Sequence, residues 1–359
     1  MGASIAIMAG GTGGHVFPAL AVAELLRKQG HDVFWIGTRQ RMEARLVPER
    51  GFPIEWIGIE GLRGKGVLPL LTAPWKLGLA IYQAGVILRR RRPALVLGMG
   101  GFASGPGGVA ARLLGIPLVI HEQNRLPGLT NQWLSRIANR VFQAFPLSFP
   151  TSRGAQTVGN PVRPEIASLP SPVERLGPRQ GPARLLVIGG SLGALALNEH
   201  LAPAVALMPP HCRPVIRHQA GEATLETARQ AYIKAGVIAD VTPFIHDMAE
   251  AYAWADLVIC RSGALTVSEL AAAGLGAVLI PFPHAVDDHQ TANARYLADH
   301  GGAVILPQAQ LNPNTLSEIL VRLFTDRPRL LAMAEAAQAR AEPHAAELIA
   351  SACVAEITR

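Results

Sequence analysis

Two glycine-rich segments, about half the chain apart, have the residue types and spacing of loops that bind an anion. Residues 10–14 and His15 follow the apolar run 5–9, and residues 189–194 follow the apolar run 185–188. Glycine lets a backbone turn sharply and bring its N–H groups close to a ligand, and a helix that starts there offers a partly positive N-terminus. We therefore expect two strand–loop–helix units in two facing α/β domains with a cleft between them.

A second group of polar residues lies in the second half of the chain, after a predicted strand at residues 256–260. Residues 256–269 predict a strand that runs through Ser262 and Gly263 into a helix, which ends near Gly274. On that helix Glu269 could accept hydrogen bonds from two ribose hydroxyls, while the amides of residues 262–266 face phosphate or sugar oxygens. Thr266 and Glu269 also have the spacing of a helix capping box, and both interpretations stay open.

Gln290 follows the predicted strand at residues 277–281. A carboxamide both donates and accepts hydrogen bonds, which suits a sugar diol. Its place after the carboxyl end of a strand favours a ligand contact over an ordinary surface role.

The glycine segments do not fit the two commonest nucleotide motifs. A dinucleotide fingerprint would need glycine at Val16 and an acid at the end of the second strand, where Thr38 and Arg39 stand. A P-loop would need glycine at Ile59, and Gly64-Lys65 is followed by glycine instead of serine or threonine. Nicotinamide chemistry and kinase or ATPase activity are therefore disfavoured.

Composition limits the partners. The chain has 359 residues, enough for two domains, and a net charge of +7 that favours nucleic acid, phosphorylated small molecules or an anionic membrane. There is no aromatic and basic recognition module, so we expect no nucleic-acid partner. The three cysteines, Cys212, Cys260 and Cys353, form no CxxC pair. We expect no disulfide framework, no metal and no other cofactor.

Apolar patterning predicts an α/β protein with mostly parallel sheets. The predicted strands are residues 33–37, 94–97, 117–120, 140–144, 215–218, 241–245, 256–260 and 277–281. The proline-rich stretch 145–182 predicts the linker between the domains, and two helices are predicted at residues 328–341 and 343–358, the last packing on the first domain. We expect no signal peptide and no transmembrane helix.

Six motifs, in order along nearly the whole chain, resemble glycosyltransferase family 28. They are GGTGGH at 10–15, GMGGFASGP at 98–106, HEQN at 121–124, GNPVR at 159–163, RSGALT at 261–266 and DHQ at 288–290. The resemblance implies a GT-B fold, in which two Rossmann-like parallel-sheet domains are separated by a cleft. It assigns residues 1–162 plus 340–359 to a membrane-facing acceptor domain and residues 163–339 to a UDP-sugar-binding domain.

The resemblance also implies an activity and site residues. The activity is transfer of N-acetylglucosamine from UDP-GlcNAc to the C4 hydroxyl of lipid I, with inversion, to form lipid II in peptidoglycan synthesis. The implied donor-site residues are Thr12, Gly13, Gly14, Asn124, Arg163, Ser191, Ile245, Ala264, Leu265, Thr266, Glu269 and Gln290. One position departs from the family, which usually has Gln where this chain has Leu192. We expect donor binding to survive through the backbone amides, with altered affinity.

Two side chains are candidates for the base that takes the hydroxyl proton. His15 comes first, since an imidazole titrates near neutral pH, although it could instead orient phosphate or cap the helix. Glu122 comes second, although it could be a structural partner of a nearby arginine. Loop amides and helix N-termini can stabilise the departing diphosphate, so we expect turnover to continue in EDTA.

Residues 62–92 predict a surface that binds an anionic membrane, because they combine apolar residues with Arg63, Lys65, Lys76 and the run 89–92. We therefore expect a peripheral protein on the cytoplasmic side of the bacterial inner membrane, where cell-wall or division proteins could be partners. Two other functions stay open. They are a UDP-N-acetylglucosamine 2-epimerase and a noncatalytic nucleotide-sugar-binding or scaffold protein.

Overall fold

The computed structural model describes residues 2–59, 67–190 and 193–358, apart from the side chains of residues 67–71 and 286. The chain divides into two compact units. Unit 1 comprises Met1–Val162 and Glu342–Arg359, and unit 2 comprises Arg163–Ala341. Each unit has its own parallel sheet and its own core.

Unit 1 is built on a seven-stranded parallel sheet whose strand order is β3-β2-β1-β4-β5-β6-β7. The central strands are continuous apolar runs because helices cover both faces of the sheet. The strands are β1 Ser4–Met8, β2 Asp32–Gly37, β3 Ile54–Trp56, β4 Leu95–Gly98, β5 Leu118–Glu122, β6 Arg140–Gln143 and β7 Gln156–Thr157.

Among the described residues of unit 1, five α-helices connect these strands. They are α1 Gly13–Lys28, α2 Glu43–Glu49, α3 Val67–Arg91, α4 Ser104–Leu113 and α5 Leu129–Leu134. The first begins within the glycine segment, at Gly13, with Thr12 in the extended conformation that precedes a helix. In the described part of the chain, no helix combines the length and the apolar character needed to cross a bilayer.

Unit 2 repeats the design with a six-stranded parallel sheet, in the order β10-β9-β8-β11-β12-β13. Its helices lie before, between and after the strands. The strands are β8 Arg184–Ile188, β9 Val215–Gln219, β10 Asp240–Thr242, β11 Leu257–Cys260, β12 Ala277–Leu279 and β13 Ala303–Ile305. The helices are α6 Pro164–Ala167, α7 Pro172–Leu176, α8 Leu195–Leu207, α9 Leu225–Ala235, α10 Met248–Trp254, α11 Ala264–Ala273, α12 His289–Ala298, α13 Pro313–Phe324 and α14 Arg327–Gln338.

The strand order positions the glycine segments. In each sheet the chain starts in the middle and then builds outward on both sides, so the order reverses between β1 and β4 and between β8 and β11. Ligands of such sheets bind at the carboxyl ends of the strands where the order reverses. Both glycine segments follow the strands at these positions, as the sequence predicts.

The expected linker at residues 145–182 is more ordered than its proline content suggests. It contains β7, α6 and α7, and the boundary between the units falls at Val162 and Arg163. Pro164 and Pro172 each occupy the first turn of a short helix. The backbone N–H that proline lacks would have no partner within the helix at this position. The prolines here start helices instead of preventing them.

The last helix, α15 Ala345–Ile357, belongs to unit 1. Ile349, Ala350 and Cys353 are buried in the core that also holds α1. Arg140 on β6 donates to Glu356 at 2.7 Å and adds a partly buried ion pair. The expectation that the final helix packs on the first domain is therefore confirmed.

His218 is a buried imidazole on β9. Its exposed fraction is 1 %, and its Nδ1 lies 3.0 Å from the hydroxyl of Tyr232. Burial lowers the pKa of His218 from its usual 6.5 to about 4. The folded protein therefore holds this side chain neutral at pH values where the unfolded chain protonates it.

We predict that the free energy of unfolding falls between about pH 6.5 and pH 4, because His218 takes up a proton only when the chain unfolds. The variant His218→Gln should lose about 3 kcal/mol less over this range, as measured by urea unfolding at several pH values. His211→Gln changes an exposed histidine of the same unit and should keep the wild-type dependence. Equal pH dependence in all three proteins would contradict the prediction.

Candidate functional site

A buried carboxylate holds the first glycine segment in place. Glu43, at the start of α2, is fully buried and accepts from the Gly11 amide at 2.9 Å. Its other oxygen accepts from the amide of Thr38 at 3.1 Å and from the Thr38 hydroxyl at 2.6 Å. Glu43 therefore joins the loop after β1 to the end of β2.

The loops after β1 and β4 pack directly against each other. Gly101 has a φ of +85°, and a methyl group there would lie 2.2 Å from the carbonyl oxygen of Gly10. Glycine is required at this position for both reasons. The contact brings two glycine-rich motifs of the sequence together at one edge of the sheet.

His15 lies beside this contact, in the first turn of α1. A methyl group on Gly100 would lie 2.7 Å from Cδ2 of His15 and 3.0 Å from its Nε2. The imidazole therefore packs on the bare backbone of Gly100. The chain places His15, Thr12, Gly13 and Gly14 together at the N-terminus of α1, as the sequence predicts.

A buried hydrogen-bond network also holds the chain at the carboxyl ends of β4 and β5. Nε2 of His121 lies 2.8 Å from the Gly159 carbonyl, which can only accept, so this nitrogen carries the hydrogen. The Gln123 carboxamide then donates to Nδ1 of His121 at 3.2 Å and to the Met99 carbonyl at 2.9 Å. Burial lowers the pKa of His121 to about 4, which keeps this ring neutral and its tautomer fixed.

Glu122, the second candidate base, is buried and surrounded by donors. One oxygen accepts from the Asn124 amide at 2.9 Å and from the Asn124 side chain at 3.3 Å. The other accepts from the amide of Gly128 at 3.2 Å and from the side chain of Asn131 at 2.9 Å. Burial raises the pKa of Glu122, and these hydrogen bonds act in the opposite direction. Its partners are amides and not the arginine that the sequence suggests, and they fix the loop that carries Asn124.

In unit 2 the polar centre is the ion pair of Glu269 and Arg163. Arg163 donates from Nε at 3.2 Å and from Nη2 at 2.9 Å to one oxygen of Glu269. The other oxygen accepts from the hydroxyl of Tyr252 at 3.2 Å. Burial raises the pKa of Glu269, while Arg163 acts to lower it. The carboxylate is almost completely buried, whereas 40 % of the Arg163 side chain is exposed.

The capping-box interpretation of Thr266 and Glu269 is wrong. The N-cap of α11 is Gly263, and the Glu269 carboxylate points to Arg163 and Tyr252. Ala264, Leu265 and Thr266 instead form the first turn, ahead of the first intrahelical bond from the Val267 amide to the Gly263 carbonyl at 3.0 Å. Their amides form the positive end of the helix.

The other end of α11 is held by Arg175. This buried guanidinium donates to the carbonyl of Gly274 at 2.8 Å, to that of Ala273, and to that of Tyr252 at 3.4 Å. A cation is favourable at a helix C-terminus, because the carbonyls there carry partial negative charge. Arg175 thus fixes the C-terminus of α11 and the backbone of Tyr252, whose hydroxyl donates to Glu269.

Gln290 is fixed against the chain that follows β12. Its side-chain oxygen accepts from the Phe282 amide at 2.9 Å, and its backbone carbonyl accepts from Ser262 at 2.8 Å. Gln290 therefore lies next to the turn that begins α11. Ile245 follows β10 and is half-buried, while Ser191 and Leu192 lie outside the described residues.

The structure thus groups the predicted residues within each unit. Unit 1 brings His15 to the glycine loops and joins Glu122 to Asn124, while unit 2 joins Glu269 to Arg163 and places Gln290 beside Ser262. Sequence reasoning missed the supporting side chains Glu43, His121, Gln123, Gln219 and Tyr252. Only His121 and Gln123 had a signal, since they belong to the HEQN motif.

No cluster of three or more histidine, cysteine or carboxylate side chains suited to a metal occurs among the side chains that the structure describes. The charged groups of the site are instead the ion pair on α11 and the ends of helices. Any anion bound there would face peptide N–H groups and Arg163.

The chain belongs to glycosyltransferase family 28. Residues 5–143 match the model of the family's N-terminal domain, and residues 184–349 match that of its C-terminal domain. The two parallel-sheet units are those of a GT-B glycosyltransferase.

Two of its curated relatives carry the same name. The chain is 56% identical over 348 residues to the UDP-N-acetylglucosamine--N-acetylmuramyl-(pentapeptide) pyrophosphoryl-undecaprenol N-acetylglucosamine transferase of Marinobacter nauticus, covering 97% of this chain and 96% of the relative. It is 55% identical over 357 residues to the protein of that name from Methylococcus capsulatus, covering 99% of each.

Solved structures agree. The chain resembles the crystal structure of Acinetobacter baumannii MurG with a TM-score of 0.87 and 44% identity, over 98% of this chain and 99% of that one. A putative UDP-N-acetylglucosamine 2-epimerase from Listeria monocytogenes matches with a TM-score of 0.67 at 14% identity, over 100% of this chain and 96% of that one. At this low identity the second likeness shows the fold alone.

We predict that Glu43→Gln loosens the first glycine loop. An amide group cannot accept on both sides, so one of the donors at Gly11 or Thr38 would lose its partner, at about 1–3 kcal/mol of stability. Hydrogen exchange measured on a peptide covering residues 9–16 should become faster. Glu49→Gln, on the exposed side of the same helix, should leave the exchange unchanged. Unchanged exchange in Glu43→Gln would mean that Glu43 does not hold the loop.

Proposed function

We propose that this chain transfers N-acetylglucosamine from UDP-GlcNAc to lipid I and forms lipid II in peptidoglycan synthesis. The observation that carries the proposal is the 55–56% identity, over nearly the full length, to enzymes named for this transfer. The grouping of polar residues within each unit supports the proposal independently. Unit 2 has the groups for a sugar nucleotide, and unit 1 has a histidine beside two glycine loops.

Unit 2 is the proposed donor site. The first turn of α11, Ala264 to Thr266, offers amides and a positive helix end to the diphosphate. Glu269 accepts from the ribose hydroxyls, and the partly exposed Arg163 lies where it can pair with a phosphate. Gln290 contacts the sugar, Ile245 contacts the uracil through its backbone, and Ser191 contacts phosphate.

The ion pair gives the donor site a way to respond to its ligand. Glu269 uses one oxygen on Arg163 and the other on Tyr252. A ribose that binds Glu269 competes with Arg163 for the same oxygen, while the diphosphate offers the guanidinium a new anionic partner. Exchange of partners therefore keeps both charges compensated, which the buried carboxylate of Glu269 requires.

Unit 1 is the proposed acceptor site, and His15 is the proposed base. His15 takes the proton of the C4 hydroxyl of lipid I as its oxygen bonds to the anomeric carbon, and the bond to UDP breaks with its electron pair on the diphosphate. Attack from the opposite face inverts the configuration and gives a β-1,4 bond. Glu122 suits this role less, because four donors already hold its two oxygens.

Thr12, Gly13, Gly14 and Asn124 are the proposed first-domain contacts to the substrates. Glu122 supports them by fixing the Asn124 loop, and Glu43 by fixing Gly11. No metal ion is required by this scheme, since helix ends and Arg163 stabilise the leaving group.

The test is a transfer assay with UDP-GlcNAc and a short-chain analogue of lipid I. His15→Ala should lower kcat by about a hundredfold or more, as expected for loss of a general base, and leave the affinity for UDP unchanged. Glu269→Ala should instead weaken UDP binding, measured by calorimetry. Release of UDP without a disaccharide product would support the epimerase alternative, and UDP binding without turnover would support the noncatalytic one.

We also propose that α3 binds the cytoplasmic surface of the bacterial inner membrane. Trp75 and Tyr82 are 80% and 68% exposed, and with Pro74, Gly78 and Leu79 they line a surface groove. Ile87 and Leu88 are instead buried, so only part of the predicted stripe faces solvent. Six other positions of the predicted stretch 62–92, which are Leu62, Arg63, Lys65, Leu68, Leu70 and Leu71, lie outside the described side chains.

The four arginines at residues 89–92 differ in how far an ion pair compensates their charge. Arg90 and Arg91 both pair with Glu55, at 2.6 and 3.2 Å, so one of their two positive charges is compensated. Arg89 and Arg92 are exposed at the same end of the helix. These two are better placed to attract anionic headgroups.

We predict that Trp75→Ala with Tyr82→Ala, and separately Arg89→Glu, weaken sedimentation with vesicles that contain anionic lipid. The arginine change should act by about tenfold at low salt and less at high salt, because the attraction is screened. Ile233→Ala removes an apolar side chain of unit 2 that is 71% exposed and serves as the control. Binding that none of these changes alters would remove α3 as the contact surface.

A further inference from the structure

A single buried carboxamide touches two loops of unit 2. Gln219 is the last residue of β9, which lies between β8 and β10 in the sheet, and only 4 % of it is exposed. Its Oε1 accepts from the Gly190 amide at 2.9 Å, and its Nε2 donates to the Gly190 carbonyl at 3.0 Å. The same Nε2 donates to the Pro243 carbonyl at 2.9 Å.

These bonds add to a turn of the loop, in which the Gly190 carbonyl accepts from the Gly193 amide at 2.9 Å. Gly190 has a φ of +80° and no side chain that could restrain it. Gln219 binds both the N–H and the C=O of Gly190, and so sets the peptide planes on both sides of that residue. In the chain, Gly190 comes directly before Ser191, the proposed phosphate contact.

The third bond reaches the other end of the proposed donor site. Pro243 follows β10 and stands two residues before Ile245, the proposed uracil contact. One side chain therefore spans the ends of three neighbouring strands, β8, β9 and β10. It joins the loop proposed for the diphosphate to the segment proposed for the base.

We propose that Gln219 is a positioning residue of the donor site, which sets the spacing between the diphosphate loop and the uracil segment. The inference rests on the proposed function, because it concerns the same UDP-sugar site. It adds a residue that touches neither substrate and acts through the backbone of Gly190 and Pro243. Its effect belongs in donor affinity and not in the chemical step.

Glutamine is well suited to this position. A carboxamide carries an acceptor and two donor hydrogens in one plane, which matches one N–H and two carbonyls. A glutamate would turn an acceptor oxygen toward the two carbonyls, and a methionine of similar size would make none of the three bonds. Both changes preserve most of the side-chain volume.

The test compares Gln219→Glu and Gln219→Met with the wild-type chain. We expect each variant to raise the Kd for UDP and the KM for UDP-GlcNAc by about ten- to a hundredfold, the equivalent of one or two hydrogen bonds. At saturating UDP-GlcNAc, kcat should stay near the wild-type value. A side chain with a merely structural role would lower the unfolding temperature without this split between KM and kcat.

Gln143→Glu is the matched control. Gln143 also ends a strand and is buried, and its carboxamide binds the Phe149 amide at 3.0 Å and the Thr157 hydroxyl at 2.9 Å, but it lies in unit 1. It should lower thermal stability and leave the Kd for UDP unchanged. An equal loss of UDP affinity in this control would show general destabilisation and overturn the inference.

Other outcomes are equally decisive. Wild-type affinity for UDP in both Gln219 variants, or failure of both to fold as judged by circular dichroism, would also overturn the positioning role. If the wild-type chain itself neither binds UDP nor transfers the sugar, the proposed function fails. The two failures are therefore distinguishable.

Discussion

The structure depends on fixing glycine backbones that have no side chains to fix them. Each sheet ends its first strand in a glycine loop, and in each unit a buried polar side chain from a neighbouring element binds that loop. Glu43 accepts from the Gly11 amide in unit 1, and Gln219 binds Gly190 from both sides in unit 2. Glycine supplies the close approach to an anion, and these side chains remove the conformational freedom that glycine brings.

The sequence predicts the sheets well because their strands are buried on both faces. Such strands are continuous apolar runs, and the runs near residues 94, 117, 140, 215, 256 and 277 all become strands. The candidate residues are also found, since they follow strand ends, where parallel sheets bind ligands. His15 and Glu122 are found by this rule and by the family motifs, and Glu269 by its place on the helix that follows β11.

Sequence patterns do not predict which side chains form an ion pair when they are far apart in the chain. Arg163 and Glu269 are 106 positions apart, and no periodicity relates them. When that ion pair is unknown, the spacing of Thr266 and Glu269 resembles a helix capping box. The capping-box interpretation is wrong because it considers only residues close in the chain. The prolines of the predicted linker mislead for the opposite reason, because proline prevents a helix interior but favours a first turn.

Three buried carboxylates show why burial alone does not define a site. Glu43 and Glu122 accept mainly from backbone and side-chain amides. The fold fixes the position of these donors, so they cannot turn toward a ligand. Glu269 is compensated by a guanidinium whose side chain is 40 % exposed and can turn toward another anion. Only the third arrangement can give up a partner without leaving a charge uncompensated, because a sugar nucleotide would offer hydroxyls to the carboxylate and a phosphate to the arginine. Of the three, Glu269 is therefore the carboxylate suited to binding, and the other two are suited to holding loops.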